Sequence, residues 1–442
     1  MRSAEVIACR TGAVLLPPLA ALGLLLAPPV GSAETLEQAW ARAAVSDRQL
    51  AAAQLDTQSA EAQARAARGA RWPSLTGGAA YTRLNASPEF DLATSFGAFR
   101  SDPLFKNNQV VSGNVQLTVP LYAGGQISAG VEAAQQTAAG TRDSEQTAAA
   151  DLKLEVAQAY VQVLRTRRAL GAADSSVASL TAHVNDVQAL LDRELVSRSD
   201  LLAARVALAN AEQTRTRDAN AVQLALGEYD RLLGEPLDRS PDLDEHLPVD
   251  AALAALPLAE LIHRALATRS ELKAMAAESE VLTAKARVET GKVLPQVALS
   301  GSYTHFDNDF LNRENFATVG VGVSWSLFDG GQARNRAAAL HSASRAADRR
   351  LDELRSRIEL QVRQAWLDVQ EAQSRLRSSA EAVAQAQENV RTARELYGAS
   401  MGTNTQVLDA VALQDTAINN HDSATLDASL TLLALAHAIG AL

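Results

Sequence analysis

Seven histidines, one cysteine and the glycine pairs at 124–125 and 330–331 are the residues whose chemistry could mark a metal site or an active site. The histidines are spread along the chain at positions 183, 246, 263, 305, 341, 421 and 437. No two stand four residues apart, the spacing that places two metal ligands on one helix face. The pairs Gly124-Gly125 and Gly330-Gly331 lack the Lys-Ser/Thr that completes a phosphate loop, and Cys9 is alone. The sequence therefore predicts no metal, no cofactor and no enzymatic activity.

The charge balance and composition exclude further classes. The 442 residues carry 41 Lys and Arg against 51 Asp and Glu, a formal net charge of −10. Nucleic-acid backbones are bound by concentrated basic faces, so we expect no nucleic-acid partner. Only 4% of the residues are aromatic, and long stretches consist of Ala, Gln, Glu, Arg and Leu. This composition favours long helices packed on one another over a thick globular core.

The first 33 residues have the pattern of a secretory signal peptide. Two arginines flank its start, an apolar run covers 13–27, and Gly-Ser-Ala at 31–33 precedes Glu34. A basic start, an apolar stretch too short to span a bilayer and small residues before the cut are typical of such leaders. We therefore expect removal of residues 1–33 and export from the cytoplasm.

Two segments, 73–122 and 295–328, have the pattern of β-hairpins. In the second, Gly and Ser alternate with valines at 319, 321 and 323. Strict alternation places one face of a strand in an apolar medium and the other in a polar one. Each run is about ten residues long, the length that a tilted strand needs to cross a bilayer. Together with Trp72, the two segments hold 13 of the 18 aromatic residues, as the interfacial girdles of membrane barrels do.

Each hairpin is followed by two long predicted helices, at 126–193 and 199–232, then at 332–398 and 404–440. At a rise of about 1.5 Å per residue, the first would extend roughly 100 Å. Apolar and small residues recur with 3-4-3-4 spacing in 170–191 and again in 376–397, the seam of a coiled coil. Ser199 is the predicted N-cap of the first returning helix, and Thr403 or Asn404 that of the second. The strand-to-helix bends need a free backbone and are assigned to Gly124, Gly125, Gly330 and Gly331.

The chain repeats itself. Residues 121–126, Leu-Tyr-Ala-Gly-Gly-Gln, correspond to 327–332, Leu-Phe-Asp-Gly-Gly-Gln, 206 positions later. We predict a first repeat at 34–233 and a second at 257–442, each with a short helix, a hairpin and two long helices. A proline-containing acidic linker, 234–256, joins them. The predicted fold is a mixed α/β membrane protein made of two tandem repeats.

Four membrane strands per chain do not close a barrel, because the smallest closed bacterial barrels have eight. Open strand edges in lipid leave backbone groups unpaired at a cost of several kcal/mol each. Several chains must therefore share one barrel. Eight strands leave a bore filled by side chains, whereas twelve leave room for water, so three copies are favoured and other numbers stay open.

The order and spacing of these features resemble TolC-type outer membrane efflux proteins. The resemblance is carried by the tandem halves, the two Gly-Gly junctions, the Pro-to-Tyr strands (73–81 and 295–303) and the Val-Leu-Asp-Ala segment at 407–410. It implies a homotrimer whose twelve-stranded barrel sits in outer-membrane lipid and continues as an antiparallel coiled-coil tunnel through the periplasm. It also implies an equatorial collar from the short helices and linker, and passive export with a periplasmic adaptor and an inner-membrane transporter.

The same resemblance places the functional residues at the turns between the long helices. Asp409 would form an acidic ring at the periplasmic entrance. Gln406 stands at a position that is acidic in some relatives, and Asp200 is the counterpart of Gln406 in the first repeat. The alternative is that these carboxylates only complement the positive ends of helices. Adaptor docking would use the two turn tips, one with Val196 and Ser197, the other with Met401, Gly402 and Thr403.

A second function class remains open. A periplasmic coiled-coil scaffold, with hairpins packed in water and no transmembrane barrel, would share most of these patterns. The exported substrate, whether drug, metal ion, peptide or protein, is not specified by the sequence.

Overall fold

A computed structural model describes residues 33–89, 91–100, 103, 105, 108–307 and 312–442. Of the predicted leader, 1–33, all but Ala33 lies outside the described residues. The helices are α1 (Leu36–Ser46), α2 (Arg48–Gly69), α3 (Gln126–Leu191), α4 (Arg198–Leu233), α5 (Leu258–Thr268), α6 (Ser270–Gly291), α7 (Gln332–Gly398) and α8 (Asn404–Ala438), with a short 3-10 helix at Ala251–Ala255. The strands are β1 (Ser74–Arg83), β2 (Asp91–Thr94), β3 (Gly97–Arg100), β4 (Gln109–Ala123), β5 (Gln296–Phe306) and β6 (Asn315–Ser324).

The predicted short helix before each hairpin is two helices. Asp47 adopts an extended backbone that ends α1, and its carboxylate accepts a hydrogen bond from the Leu50 amide at 2.7 Å, which caps α2. Arg269 makes the corresponding break between α5 and α6. The first hairpin also differs from its predicted form, because β2 and β3 pair as a separate small sheet within its loop.

Two of the four long helices end slightly earlier than the sequence predicts, whereas α7 ends at Gly398 as predicted and α4 ends one residue later, at Leu233. α3 stops at Leu191 instead of 193, and α8 stops at Ala438 instead of 440, where Gly440 takes a left-handed φ of 71°. α3 and α7 each begin directly after a left-handed glycine pair, with φ between 58° and 79°. A Cβ on Gly124 would lie 2.5 Å from the carbonyl oxygen of Gly291, so this bend must be glycine to pack against the end of α6.

The larger sheet has the order β1-β4-β5-β6, and every neighbouring pair is antiparallel. One cross-strand row contains the apolar positions Leu75, Leu117, Gly301 and Val319. The adjacent row contains the polar positions Thr76, Gln116, Ser302 and Thr318. Since successive residues point to opposite faces, one face of the sheet is apolar and the other polar. The apolar side chains are exposed, 83% in the case of Val319.

The main core lies where α1, α3 and α4 meet the linker. It is centred on Leu36, Tyr160 and Tyr229, all fully buried, and a second core packs α5 against α7 and α8 around Leu261 and Leu435. Away from these cores, small apolar clusters hold the long helices together. None of the helices in the described ranges is long and apolar enough to cross a membrane.

Candidate functional site

The turns between the long helices have closely similar backbone geometry. Glu194 in the first and Ser400 in the second adopt a left-handed φ of 60°. The residue after each donates its amide to a carbonyl five positions back, Leu195 to Leu190 at 3.0 Å and Met401 to Leu396 at 2.8 Å. These bonds satisfy the free carbonyls at the end of a helix and reverse the chain within a few residues.

Both returning helices begin with a capping box. In the first, the Ser197 amide donates to the Asp200 carboxylate at 3.0 Å, and the Asp200 amide donates to the Ser197 hydroxyl at 3.2 Å. In the second, Thr403 and Gln406 exchange the equivalent bonds at 2.8 and 3.3 Å. The N-cap of α4 is thus Ser197, and the prediction of Ser199 was wrong, because the acidic partner three residues on selects Ser197. Thr403 is confirmed as the N-cap of α8.

The predicted entrance residues therefore have different surroundings. The Asp200 and Gln406 side chains are engaged in capping their own helices. Asp409 lies one turn further along α8 and is exposed. At the turn tips, Met401 is 73% and Leu195 58% exposed, so each tip presents an apolar side chain to solvent.

A buried polar contact that the sequence did not reveal joins the two turns. The His183 ring nitrogen Nε2 lies 2.7 Å from Oδ1 of Asn404, and both residues are more than nine-tenths buried. The Asn404 amide group also donates to the backbone oxygen of Asp200 at 3.1 Å. The Tyr397 ring packs against the His183 ring with centroids 5.7 Å apart. Burial, with the nearby Asp200 charge, raises the pKa of the Tyr397 hydroxyl. Asn404 thus ties the start of α8 to both α3 and α4.

We expect Asn404→Ala to destabilise the folded protein by about 1–3 kcal/mol, because His183 and the Asp200 carbonyl lose their buried partner. Asn420→Ala, at an exposed position of the same helix, is the matched control and should change stability by less than about 0.5 kcal/mol. Denaturant titration of the detergent-solubilised protein measures both. Equal losses in the two variants would contradict a structural role for the buried contact.

Further up the helices, polar side chains of α3 face α8. The Ser176 hydroxyl donates to the Asp415 carboxylate at 2.6 Å. The Asp427 carboxylate pairs with Arg165 of α3 and, at 2.8 Å, with Arg375 of α7. Asp415 lines a cavity of about 300 Å³ between α3, α4 and α8. Burial raises the pKa of the Asp415 carboxyl, although the Ser176 hydrogen bond opposes this.

This carboxyl should make stability fall as the pH rises. A raised folded-state pKa means that the folded chain binds the proton more tightly than the unfolded chain does, so stabilisation is complete below the unfolded pKa of about 3.9 and is lost above the folded pKa. Asp415→Asn, which can keep the Ser176 bond, should therefore raise the melting temperature at pH 7 relative to wild type. The gap should close as the pH approaches about 4. A gap that widens towards low pH would contradict the assignment.

Metal-binding potential is low in this region. Across the described ranges, no group of three or more His, Cys, Asp or Glu side chains is arranged to hold a metal ion. The turns offer capping groups, exposed apolar tips and exposed carboxylates, among them Glu194 in the first turn and Asp409 beyond the second. This arrangement suits contact with another protein and passage of solutes better than bond-making chemistry.

Comparison with known proteins gives the family. The profile of the outer membrane efflux protein family matches residues 40–235 and 261–441. The cobalt-zinc-cadmium resistance protein CzcC of Cupriavidus metallidurans is 28% identical over 250 residues, covering 55% of this chain. The chain spans 56% of the length of that relative.

Solved structures share the fold. Crystal structures of CusC match with a TM-score of 0.77 at 16% identity, over 92% of both chains. The outer membrane protein VceC of Vibrio cholerae matches with a TM-score of 0.77 at 18% identity, over 92% of this chain and 96% of VceC. The relatives are efflux channel proteins and not enzymes. The chain therefore belongs to the outer membrane efflux protein family, as its resemblance to TolC-type proteins predicts.

Proposed function

We propose that three copies of this chain form a passive exit duct, with a twelve-stranded barrel in the outer membrane and a helical tunnel through the periplasm. The observation that carries the proposal is the two-faced sheet with open edges. β1 and β6 have no further strand beside them among the described residues. An apolar exposed face belongs in lipid, where each unpaired edge group costs several kcal/mol. Pairing β6 of one copy with β1 of the next removes every edge.

The long helices support the same assembly. α3 contains 66 residues and α7 contains 67, so each extends roughly 100 Å. Large apolar side chains on the long helices are exposed in the single chain, including Val206, Leu224 and Leu360. The long helices of neighbouring copies would cover these side chains. The two separate matches to one family profile support the tandem repeats, 34–233 and 257–442, with the linker 234–256 in the equatorial collar. Export of the chain to this location would use the leader 1–33.

The turn tips are proposed to dock onto a periplasmic adaptor that works with an inner-membrane transporter. The exposed Met401 and Leu195 supply the apolar contact, beside the predicted tip residues Val196, Ser197 and Thr403. Gly402 has a different role, because a Cβ there would lie 3.1 Å from both the Leu396 Cβ and the Tyr397 amide nitrogen. A bulky residue at Gly402 would therefore distort the turn as well as the docking surface.

Asp409 is proposed to line the entrance of the duct. Three exposed carboxylates around a narrow bore would attract cations and disfavour anions. Asp200 and Gln406 would contribute less, since their side chains are engaged in capping. The relative CzcC is named for resistance to cobalt, zinc and cadmium. Divalent metal cations are accordingly the proposed substrate class.

Deletion of the gene, followed by complementation, tests this function. We expect the deletion strain to become sensitive to cobalt, zinc or cadmium, and the protein to be extracted only by detergent as a heat-modifiable trimer. Sensitivity to dyes and detergents alone would replace the substrate class and leave the duct intact. A water-soluble protein released with the periplasmic fraction would instead support the coiled-coil scaffold.

A further inference from the structure

Glu34, the residue after the predicted cleavage point, is buried at the centre of the larger core although it is charged. Only 7% of it is exposed. Its backbone amide donates to the Asp242 carbonyl at 2.7 Å, and its own carbonyl accepts from the Asp244 amide at 3.0 Å and the Tyr160 hydroxyl at 2.6 Å. This residue therefore fastens the beginning of the chain to both the linker and α3.

The Glu34 carboxylate belongs to a buried charged cluster, which we call the Glu34 node: Glu34, Tyr160, Tyr229, Asp230 and Arg239. The carboxylate accepts from the Tyr229 hydroxyl at 2.8 Å and pairs with Arg239 at 3.2 Å. Arg239 also pairs with Asp230, which is fully buried, at 3.0 Å. Burial with nearby acidic charge raises the pKa of both tyrosine hydroxyls, so they stay neutral.

The two carboxylates of the node are more deeply buried than the arginines that pair with them. Two buried carboxylates share the Arg239 guanidinium, and Arg42 reaches Glu34 at 3.3 Å only from the surface. Within the described part of the chain, neither Oδ2 of Asp230 nor Nη2 of Arg239 finds a hydrogen-bond partner. Burial raises the pKa of the Asp230 carboxyl despite its pairing with Arg239. Buried ionised carboxylates are retained only where opposite charge compensates them.

We propose that Glu34 is the amino terminus of the mature protein and that its α-ammonium group, held by the Asp242 carbonyl, adds a positive charge beside the Glu34 node. A leader-removing endopeptidase adds water across the Ala33–Glu34 peptide bond. The C–N bond breaks, Ala33 keeps the new carboxylate, and the amine left on Glu34 takes up a proton. The ammonium group keeps the bond to the Asp242 carbonyl and gains two further N–H donors. Leader removal thereby places a positive charge next to the two buried carboxylates of the core.

Amine labelling of the full-length mature protein, in detergent at pH 7, tests this without any variant. An unperturbed α-amine has a pKa of about 7.7–8.0 and reacts with an acetylating reagent before lysines do. We expect mass spectrometry to find a chain beginning at Glu34 whose amine is acetylated at least about tenfold more slowly when folded than in urea. A chain beginning at another residue, or equal labelling in both states, would overturn the proposal.

Two variants separate the effect of the terminal ammonium charge from the effect of the Glu34 side chain. Inserting one alanine between Ala33 and Glu34, with mass spectrometry confirming that it stays on the mature chain, displaces the ammonium group from the node and should lower the melting temperature by about 5 °C. Glu34→Gln should lower it at least as far, whereas Glu37→Gln, an exposed carboxyl of α1, should not. An insertion variant as stable as wild type would contradict a role for the terminal charge. None of these readouts depends on export activity, so the proposed function stands or falls separately.

Discussion

Val319→Arg should abolish assembly in the outer membrane and, with it, export. Val319 lies at the middle of β6, on the apolar face of the sheet, in the row that also contains Leu75 and Leu117. A lipid-facing arginine near the bilayer midplane costs about 2–4 kcal/mol per chain. Because three copies would share one barrel, every assembly carries the cost three times. Heat-modifiable trimer in isolated outer membranes is the measurement.

Thr318→Arg is the matched control for this prediction. Thr318 is the preceding residue of the same strand, and its hydroxyl lies 2.7 Å from that of Ser302 on the polar face. An arginine there would enter the water-filled bore, so the trimer should form at nearly normal levels. If both arginines abolish the trimer, or if neither does, the assignment of the two faces to lipid and water is contradicted.

Met401→Asp should stop export while leaving the trimer in place. Met401 is exposed at the tip of the second turn, and its side chain is the larger apolar surface offered there. Truncating or charging an apolar anchor in a protein interface typically costs 2 kcal/mol or more, a loss of roughly thirtyfold in affinity. The metal resistance of a deletion strain complemented with the variant is measured together with the trimer level in its outer membrane.

Met401→Leu keeps the apolar area and should export normally. Both substitutions are more informative than a bulky residue at Gly402, where tight contacts with Leu396 and Tyr397 would also disturb the turn. Normal export by Met401→Asp at a normal trimer level would show that this tip is not part of the docking surface.

Local patterns in the sequence predicted those elements whose signal is local. The alternation at 319, 321 and 323 corresponds to β6, and the Gly-Gly pairs stand directly before α3 and α7. The pairing of β4 with β5 is not predictable from local patterns, because it joins strands from different halves of the chain. The small sheet of β2 and β3 was missed, since its four-residue strands are too short to show a period.

The candidate site likewise contains features with a local sequence signal and contacts without one. The capping box of Ser197 and Asp200 is marked by its three-residue spacing, whereas the residue three positions after Ser199 is Leu202. The contact between His183 and Asn404 joins residues 221 positions apart, and nothing local marks either one. Glu34 and Arg239 are likewise brought together only by packing of α1 against α4 and the linker. Long-range polar contacts depend on tertiary structure, which periodicity does not encode.

Disulfide cross-linking between β1 and β6 tests the shared barrel most directly. Cys9, the only cysteine, lies in the proposed leader and would be removed with it, so cysteines placed at Thr76 and, in turn, at Thr318, Gly320 or Gly322 would be the only ones in the mature chain. Within one chain these edges are three strand spacings apart, roughly 14 Å, which is beyond the reach of a disulfide. Oxidation in the outer membrane should give covalent dimers and then covalent trimers as the end product. Chains that stay monomeric at every position, or that polymerise beyond trimers, would contradict it.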